Sequence, residues 1–223
     1  MSKIPFRETP VYPVVFMLII SIIFVGVLAL MFRSSEARIE ANQSNSYQQL
    51  ILQLFADEIG KTVGETPLNL LAGYPETFNS YIKEIKFPGV DRRVYSATAK
   101  DSLLGYCFDI GGKGLWGSMR ALIALNPDLK TMKGIVVYEQ METPGLGARI
   151  SESWFSDQFK NLSVKDLVTG KFPVLELIPE GKKAENPRQI MQVTGATITT
   201  NSVVKMLNDE INYIFSASSE VQP

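Results

Sequence analysis

The chain has 223 residues, 45% hydrophobic and 20% charged, a composition suited to one generous folded domain or two small ones and not to a disordered tail. Its 22 basic and 23 acidic residues nearly cancel, so it lacks the basic surface that nucleic acid requires and no nucleic-acid partner is expected. There is no histidine and the single cysteine is Cys107, which excludes histidine-ligated metals, Ser-His and Cys-His nucleophile pairs, intrachain disulfides and iron–sulfur clusters held by this chain alone. Chemistry here needs a bound organic cofactor, a partner or carboxylates.

No charge occurs from Thr9 to Phe32, and residues 14–32 are almost continuously aliphatic. Roughly 20 helical residues cross a hydrocarbon core about 30 Å thick, so this length suits a transmembrane helix. A cleaved signal peptide has a shorter apolar region, and the bulky Leu30, Met31, Phe32 and Arg33 offer no small-residue cleavage site. A retained anchor over 11–33 is expected, after a short cytoplasmic amino terminus at 1–10. Lys3 and Arg7 precede the span, while Arg33 and Arg38 follow it with Glu36 and Glu40, a slight bias toward a cytoplasmic amino terminus. Ser21, Gly26 and Ala29 offer small-residue patches where another membrane helix could pack.

Residues 34–63 are more polar, with Leu50, Ile51, Leu54, Phe55 and Ile59 at three- and four-residue spacings that predict an amphipathic connecting helix. Residues 65–81 carry Gly, Pro and Asn and read as a loop or short turns. Strand patterns follow at 93–98, 103–110, 120–125 and 134–140, with Asn126-Pro127-Asp128 as a turn. A short helix is expected over 151–159, with Ser151 as N-cap and Glu152 in the first turn. Residues 173–178 read as a strand, 181–187 as a charged loop and 200–215 as a closing helix with Val203, Leu207, Ile211 and Ile214 on one face. The fold class is α+β on a membrane stalk, and about 190 residues can bury roughly 70% of their unfolded surface without disulfides.

Three constellations stand out. In Glu142-Thr143-Pro144-Gly145-Leu146-Gly147, Pro144 and Gly145 suit the centre of a type II turn and Gly147 permits close backbone approach. An ordinary loop off a strand end satisfies the same pattern. Gly111-Gly112-Lys113-Gly114-Leu115-Trp116-Gly117 lacks the Gly-Lys-Ser/Thr ending of a P-loop, which rules out that mode of triphosphate binding. Its Trp116 could stack on a flat ligand or pack a hairpin. Thr194-Gly195-Ala196-Thr197-Ile198-Thr199-Thr200 runs into the last helix, where hydroxyls and free backbone N–H groups suit either N-capping or an anion.

Thr194-Gly195-Ala196-Thr197 together with Glu142-Thr143-Pro144-Gly145-Leu146-Gly147 resembles the FMN-binding subunits of two membrane redox complexes. These are the C subunit of the sodium-translocating NADH:quinone reductase (Nqr) and the G subunit of the Rnf complex. Gly114-Leu115-Trp116 followed by Ser118-Met119 is closer to the Nqr version. The resemblance runs from Val11 to the last helix and is weakest from Glu36 to Ile85. It implies one span followed by an FMN-binding domain over 64–223, placed on the periplasmic side of a bacterial inner membrane.

The same resemblance implies FMN joined by a phosphoester to the hydroxyl of Thr197, installed by a flavin transferase. Thr194, Thr199 and Thr200 would approach phosphate or ribityl oxygens beside Gly195 and Ala196. Glu142, Thr143, Leu146 and Gly147 would border the isoalloxazine, with Leu115 and Trp116 against a face or edge. No metal site and no acid–base constellation is implied. The protein would relay electrons from an iron–sulfur centre to another flavin subunit of an ion-translocating complex, with membrane lipid and the other membrane subunits as partners. Two alternatives are a cofactor-free assembly subunit and a stand-alone extracytoplasmic flavoprotein. One departure is Met191, where the family's flavin-transfer motif carries an aspartate; neither Ile190 nor Gln192 restores a carboxylate.

Overall fold

The computed structural model describes residues 5, 10–164 and 173–219. Lys3, Arg7 and most of the expected amino-terminal segment 1–10 therefore lie outside the described residues, as do residues 220–223 of the expected domain. The chain divides into two compact units, Met1–Ser46 and Tyr47–Pro223. A single helix, α1 (Val11–Val63), contributes to both, so the anchor and the connecting helix expected from sequence are one element without a break. In the first unit its apolar side chains, among them Val14, Ile22, Phe24 and Leu30, are exposed, and by length and composition the helix can cross a membrane. Aliphatic side chains facing outward all round a helix are stable in lipid and costly in water. The helix fits a single-pass membrane anchor.

The second unit is an α+β domain whose five-stranded antiparallel sheet runs in sequence order: β1 (Ile82–Ile85), β2 (Val94–Ala99), β3 (Ser102–Lys113), β4 (Ser118–Leu125) and β5 (Met132–Glu139). Strands alternate their side chains between faces, and both faces are buried here. Tyr95, Ala97, Cys107, Leu122 and Ala124 face one cluster with Ile51, Leu52, Phe55 and Ile59 from the end of α1. Phe108, Ile110, Ala121, Ile123 and Val137 face the other cluster with Val203, Leu207, Ile211 and Ile214 of α5 (Thr197–Ser219). All four of those α5 positions are fully buried, as their three- and four-residue spacing predicts.

The expected loop over 65–81 is instead two short helices, α2 (Pro67–Ala72) and α3 (Glu76–Tyr81). Thr66 caps α2, its Oγ1 accepting from the Asn69 N–H at 3.3 Å, and Pro67 fills the first turn, where a missing N–H costs nothing. The expected helix over 151–159 is also corrected. A 3-10 turn (Gly147–Ser151) precedes α4 (Ser153–Asp157), and Glu152, not Ser151, occupies the cap position without a side-chain cap bond. Residues 173–178 reduce to β6 (Glu176–Ile178), which pairs in parallel with β7 (Gln189–Met191). The last helix begins at Thr197, three residues before the expected start.

One buried polar cluster interrupts the apolar packing beneath α1. Asp109, 1% exposed, accepts from Tyr47 Oη and Arg120 NH2 on Oδ2 at 2.9 and 2.8 Å, and from Tyr138 Oη on Oδ1 at 2.9 Å. Arg120 Nε donates to Tyr138 Oη at 2.6 Å. Burial, reinforced by Asp109, pushes the Tyr138 hydroxyl up to about 12, so it remains a donor. Burial likewise pushes the Cys107 thiol up, leaving it an inert core group.

Asp109→Ala would leave one guanidinium N–H and two hydroxyls without their acceptor. It is expected to destabilise the domain by about 2–4 kcal/mol, against about 1 kcal/mol for Tyr47→Phe, which removes one donor from a carboxylate that keeps two. Urea unfolding of the detergent-solubilised chain, followed by circular dichroism, compares the two variants.

Candidate functional site

Three loops meet around one carboxylate. The first is the hairpin between β3 and β4, closed by the Gly114 N–H on the Gly117 carbonyl at 2.7 Å, with Leu115 and Trp116 at its tip. Both tip side chains are exposed, Trp116 by 69%. Their N–H groups point the other way, to Glu142 Oε1 at 2.7 and 3.2 Å.

The second loop follows β5. The Leu146 N–H bonds the Thr143 carbonyl at 3.1 Å and Gly145 has φ 75°, the geometry expected of a Pro-Gly type II turn. The turn carries the chain back so that Gly147 lies beside Glu142. A Cβ on Gly147 would sit 2.8 Å from both Glu142 Oε2 and Thr199 Oγ1, so no larger residue fits without moving that pair. Glu142 itself is 6% exposed.

The third loop enters α5. The Ala196 N–H bonds the Val193 carbonyl at 3.0 Å, and Leu146 Cδ2 packs against Gly195. Helical geometry then separates the threonines. Thr197 is exposed at the first position of α5, beside exposed Ile198. Thr199 is buried and donates from Oγ1 to Glu142 Oε2 at 2.6 Å. Thr200 is buried, donating to the Ala196 carbonyl and accepting from the Val193 N–H, both at 3.1 Å. The hydroxyls of Thr199 and Thr200 are thus engaged within the protein, and Thr197 and Thr194 remain at the surface.

The structure therefore brings Glu142, Gly147, Leu146, Leu115, Trp116, Gly195 and Thr199 into one neighbourhood and places Thr197 at the same helix entrance. Thr143 lies exposed at the start of the turn. The outer face combines exposed Leu115, Trp116, Met141, Leu146 and Ile198, apolar side chains that a flat ligand could cover. Among the described residues no group of His, Cys, Asp or Glu could hold a metal ion.

Sequence reasoning missed a second carboxylate here. Glu180 accepts from the Thr194 N–H on Oε2 at 2.9 Å and takes a two-pronged contact from Arg149, NH1 on Oε2 at 3.1 Å and NH2 on Oε1 at 2.8 Å. Arg149 also lies over the Trp154 ring, 5.2 Å from its centroid. Glu180 stands at the edge of an ordinary charged loop, and nothing in its spacing marks it. Gln158 brackets Met191, its Oε1 accepting from the Met191 N–H at 2.6 Å and its Nε2 donating to the Met191 carbonyl at 3.2 Å.

Arg149, then the Thr194 N–H, holds the Glu180 carboxyl down at about 2, below its ordinary 4.5. A depressed folded value contributes stability that is present above the unfolded value and lost as pH falls through the folded one. The wild type is thus expected to lose stability between pH 4.5 and 2, and Glu180→Gln to show a flatter profile there, in thermal melts across that range.

Residues 114–212 match the FMN-binding domain family. The C subunit of the Na(+)-translocating NADH-quinone reductase of Vibrio anguillarum is 32% identical over 110 residues, covering 49% of this chain and 42% of that relative. The chain thus matches less than half the length of that protein. The G subunit of the ion-translocating oxidoreductase complex of Methanosarcina acetivorans is 27% identical over 204 residues, covering 90% of this chain and 92% of that one. The crystal structure of NqrC from Shewanella oneidensis superposes with a TM-score of 0.51 at 25% identity, over 63% of this chain and 70% of that one. The C subunit from Parabacteroides distasonis gives 0.57 at 22% identity over 82% and 98%, a likeness of fold. Over residues 114–212 the chain thus matches the FMN-binding domain family, and it is similar to Nqr C subunits in sequence and fold and to an Rnf-type G subunit over most of its length.

Proposed function

We propose that this chain is a membrane-anchored electron-relay subunit of an Nqr- or Rnf-type complex, carrying FMN bonded through its phosphate to Thr197. The observation that carries the reading is the exposed Thr197 hydroxyl at the first position of a 23-residue helix, beside the apolar rim of Leu115, Trp116, Leu146 and Ile198. The residues present fit the cofactor. Exposed apolar side chains suit a flat ring system, and the free N–H groups and positive end of the α5 dipole suit a phosphate. When bound, FMN supplies the redox chemistry; the protein supplies position, burial and electrostatic surroundings.

The residues of the chain have distinct parts in this reading. Thr197 offers the acceptor oxygen to a flavin transferase. Leu115, Trp116 and Leu146 exclude water from one side of the ring system. Thr194, exposed before α5 and tied to Glu180 through both its N–H and its side chain, stands on the phosphate side. Glu142, Gly147, Thr199 and Thr200 build the floor and hold the loops in register. The donor is an iron–sulfur centre of a neighbouring subunit and the acceptor another flavin subunit. Ion movement belongs to those neighbours, because the span of this chain has no charged residue from Thr9 to Phe32, Glu8 and Arg33 lying just outside it. The domain stands on the periplasmic side of a bacterial inner membrane.

Thr197→Ala is expected to abolish the flavin mass increment on the peptide containing residue 197, and in-gel flavin fluorescence, while leaving circular dichroism unchanged. Thr197→Ser keeps the nucleophilic oxygen and should retain part of the labelling. Because positioning errors of a reacting group cost about 100-fold in rate, the neighbouring threonines should not substitute. Full labelling of Thr197→Ala refutes the acceptor assignment. Protease added to intact spheroplasts should remove the domain; cleavage only after membrane rupture refutes the periplasmic placement.

A further inference from the structure

We infer that Glu142 is a redox-tuning residue: its buried carboxylate places a negative charge beneath the FMN-binding surface and lowers the reduction potential of the flavin held there. The inference rests on the reading of this surface as the FMN site and concerns what sets the electron affinity of that site.

Among the described residues five carboxylates are buried or half-buried, and four of them have a cation. Asp109 is neutralised by Arg120, Glu180 by Arg149, Glu58 by Lys133 and Glu210 by Arg92. Glu142 is 6% exposed, yet no lysine or arginine pairs with it among the described residues. Its oxygens are satisfied by neutral donors, the N–H groups of Leu115 and Trp116 on Oε1 and the Thr199 hydroxyl on Oε2. Such donors make burial of the charged form tolerable, but dipoles do not cancel a net charge as an ion pair does. Away from water the residual field is screened weakly.

The placement of this charge gives it a function. Loops need neutral acceptors as much as charged ones, and a glutamine amide could bridge the same three groups with its oxygen on the two N–H groups and its NH2 on the hydroxyl. A carboxylate at the back of the residues whose side chains form the rim instead opposes the arrival of electrons on a ligand lying against them. That opposition shifts a reduction potential downward, in the direction that makes a bound flavin a stronger donor.

The test uses the flavin-loaded full chain in detergent, with FMN content read from absorbance and midpoint potential from anaerobic dithionite titration against indicator dyes. Amide hydrogen exchange at Leu115 and Trp116 reports the loops independently of the cofactor. Glu142→Gln, which keeps the ties and loses the charge, is expected to retain exchange protection and to raise the midpoint. Glu142→Asp, which keeps the charge and shortens the reach, is expected to speed exchange at the two amides without raising the midpoint. An unchanged midpoint in flavin-loaded Glu142→Gln overturns the inference while leaving the proposed function standing. So does a rise in Glu142→Asp as large as in Glu142→Gln. If Glu142→Gln misfolds, a midpoint raised in Glu142→Asp overturns the inference by itself, because that variant keeps the charge. Wild-type protein without FMN overturns the functional reading, and this inference falls with it.

Discussion

The domain depends on a five-stranded sheet that is buried on both faces. An antiparallel sheet commonly leaves one face to water, but here α1 covers one side and α5 the other. That arrangement explains why β4 is almost wholly buried from Met119 to Leu125 and why Cys107 and Phe108, adjacent in sequence, belong to different cores. It also fixes where polar groups can go. Asp109 is tolerated in the α1-side layer because Tyr47, Tyr138 and Arg120 meet both of its oxygens. With both faces occupied, the loops at the sheet ends are where the domain can hold a ligand.

At the end formed by the β3–β4 hairpin, segments far apart in sequence are drawn together by hydrogen bonds to Glu142, from residues 115, 116 and 199. This joins three separate connections into one surface. The arrangement demands small residues around the carboxylate, since a Cβ at Gly147 would press on the two oxygens that make the Thr199 bond. The glycine of the motif serves the architecture behind the site, while the side chains of Leu115, Trp116 and Leu146 form its exposed front.

Much of the fold was legible in the sequence because it is periodic. The α5 face and the four longer strands emerge from spacing, and the apolar run of the anchor from length. The misses have physical causes. In Thr66-Pro67 the same residues that mark turns also start helices, so α2 was hidden among loop signals. β1 and β7 are too short, at four and three residues, for alternation to be measured. The junction at Lys100-Asp101 turns on two positive φ angles, and nothing apolar marks it. Within the site, motif residues could be named individually, but no spacing reveals that Glu142 would reach Thr199 across 57 positions. Nor could it reveal that Glu180 would lie on the Thr194 N–H.

The threonine-rich entrance to α5 shows how backbone phase can select one hydroxyl among several. Successive residues of an α-helix point about 100° apart, so neighbouring threonines cannot all face one ligand. The apolar stripe of Val203, Leu207, Ile211 and Ile214 fixes the rotation of α5 against the sheet. That rotation turns Thr199 and Thr200 inward, where an unmet hydroxyl would be costly and each has found a partner. It turns Thr197 outward at the first position, where no intrahelical N–H bond is owed and the dipole is positive. The core packing of residues 203–214 thus governs which threonine hydroxyls of the helix entrance stand at the surface and which are spent on partners inside the protein.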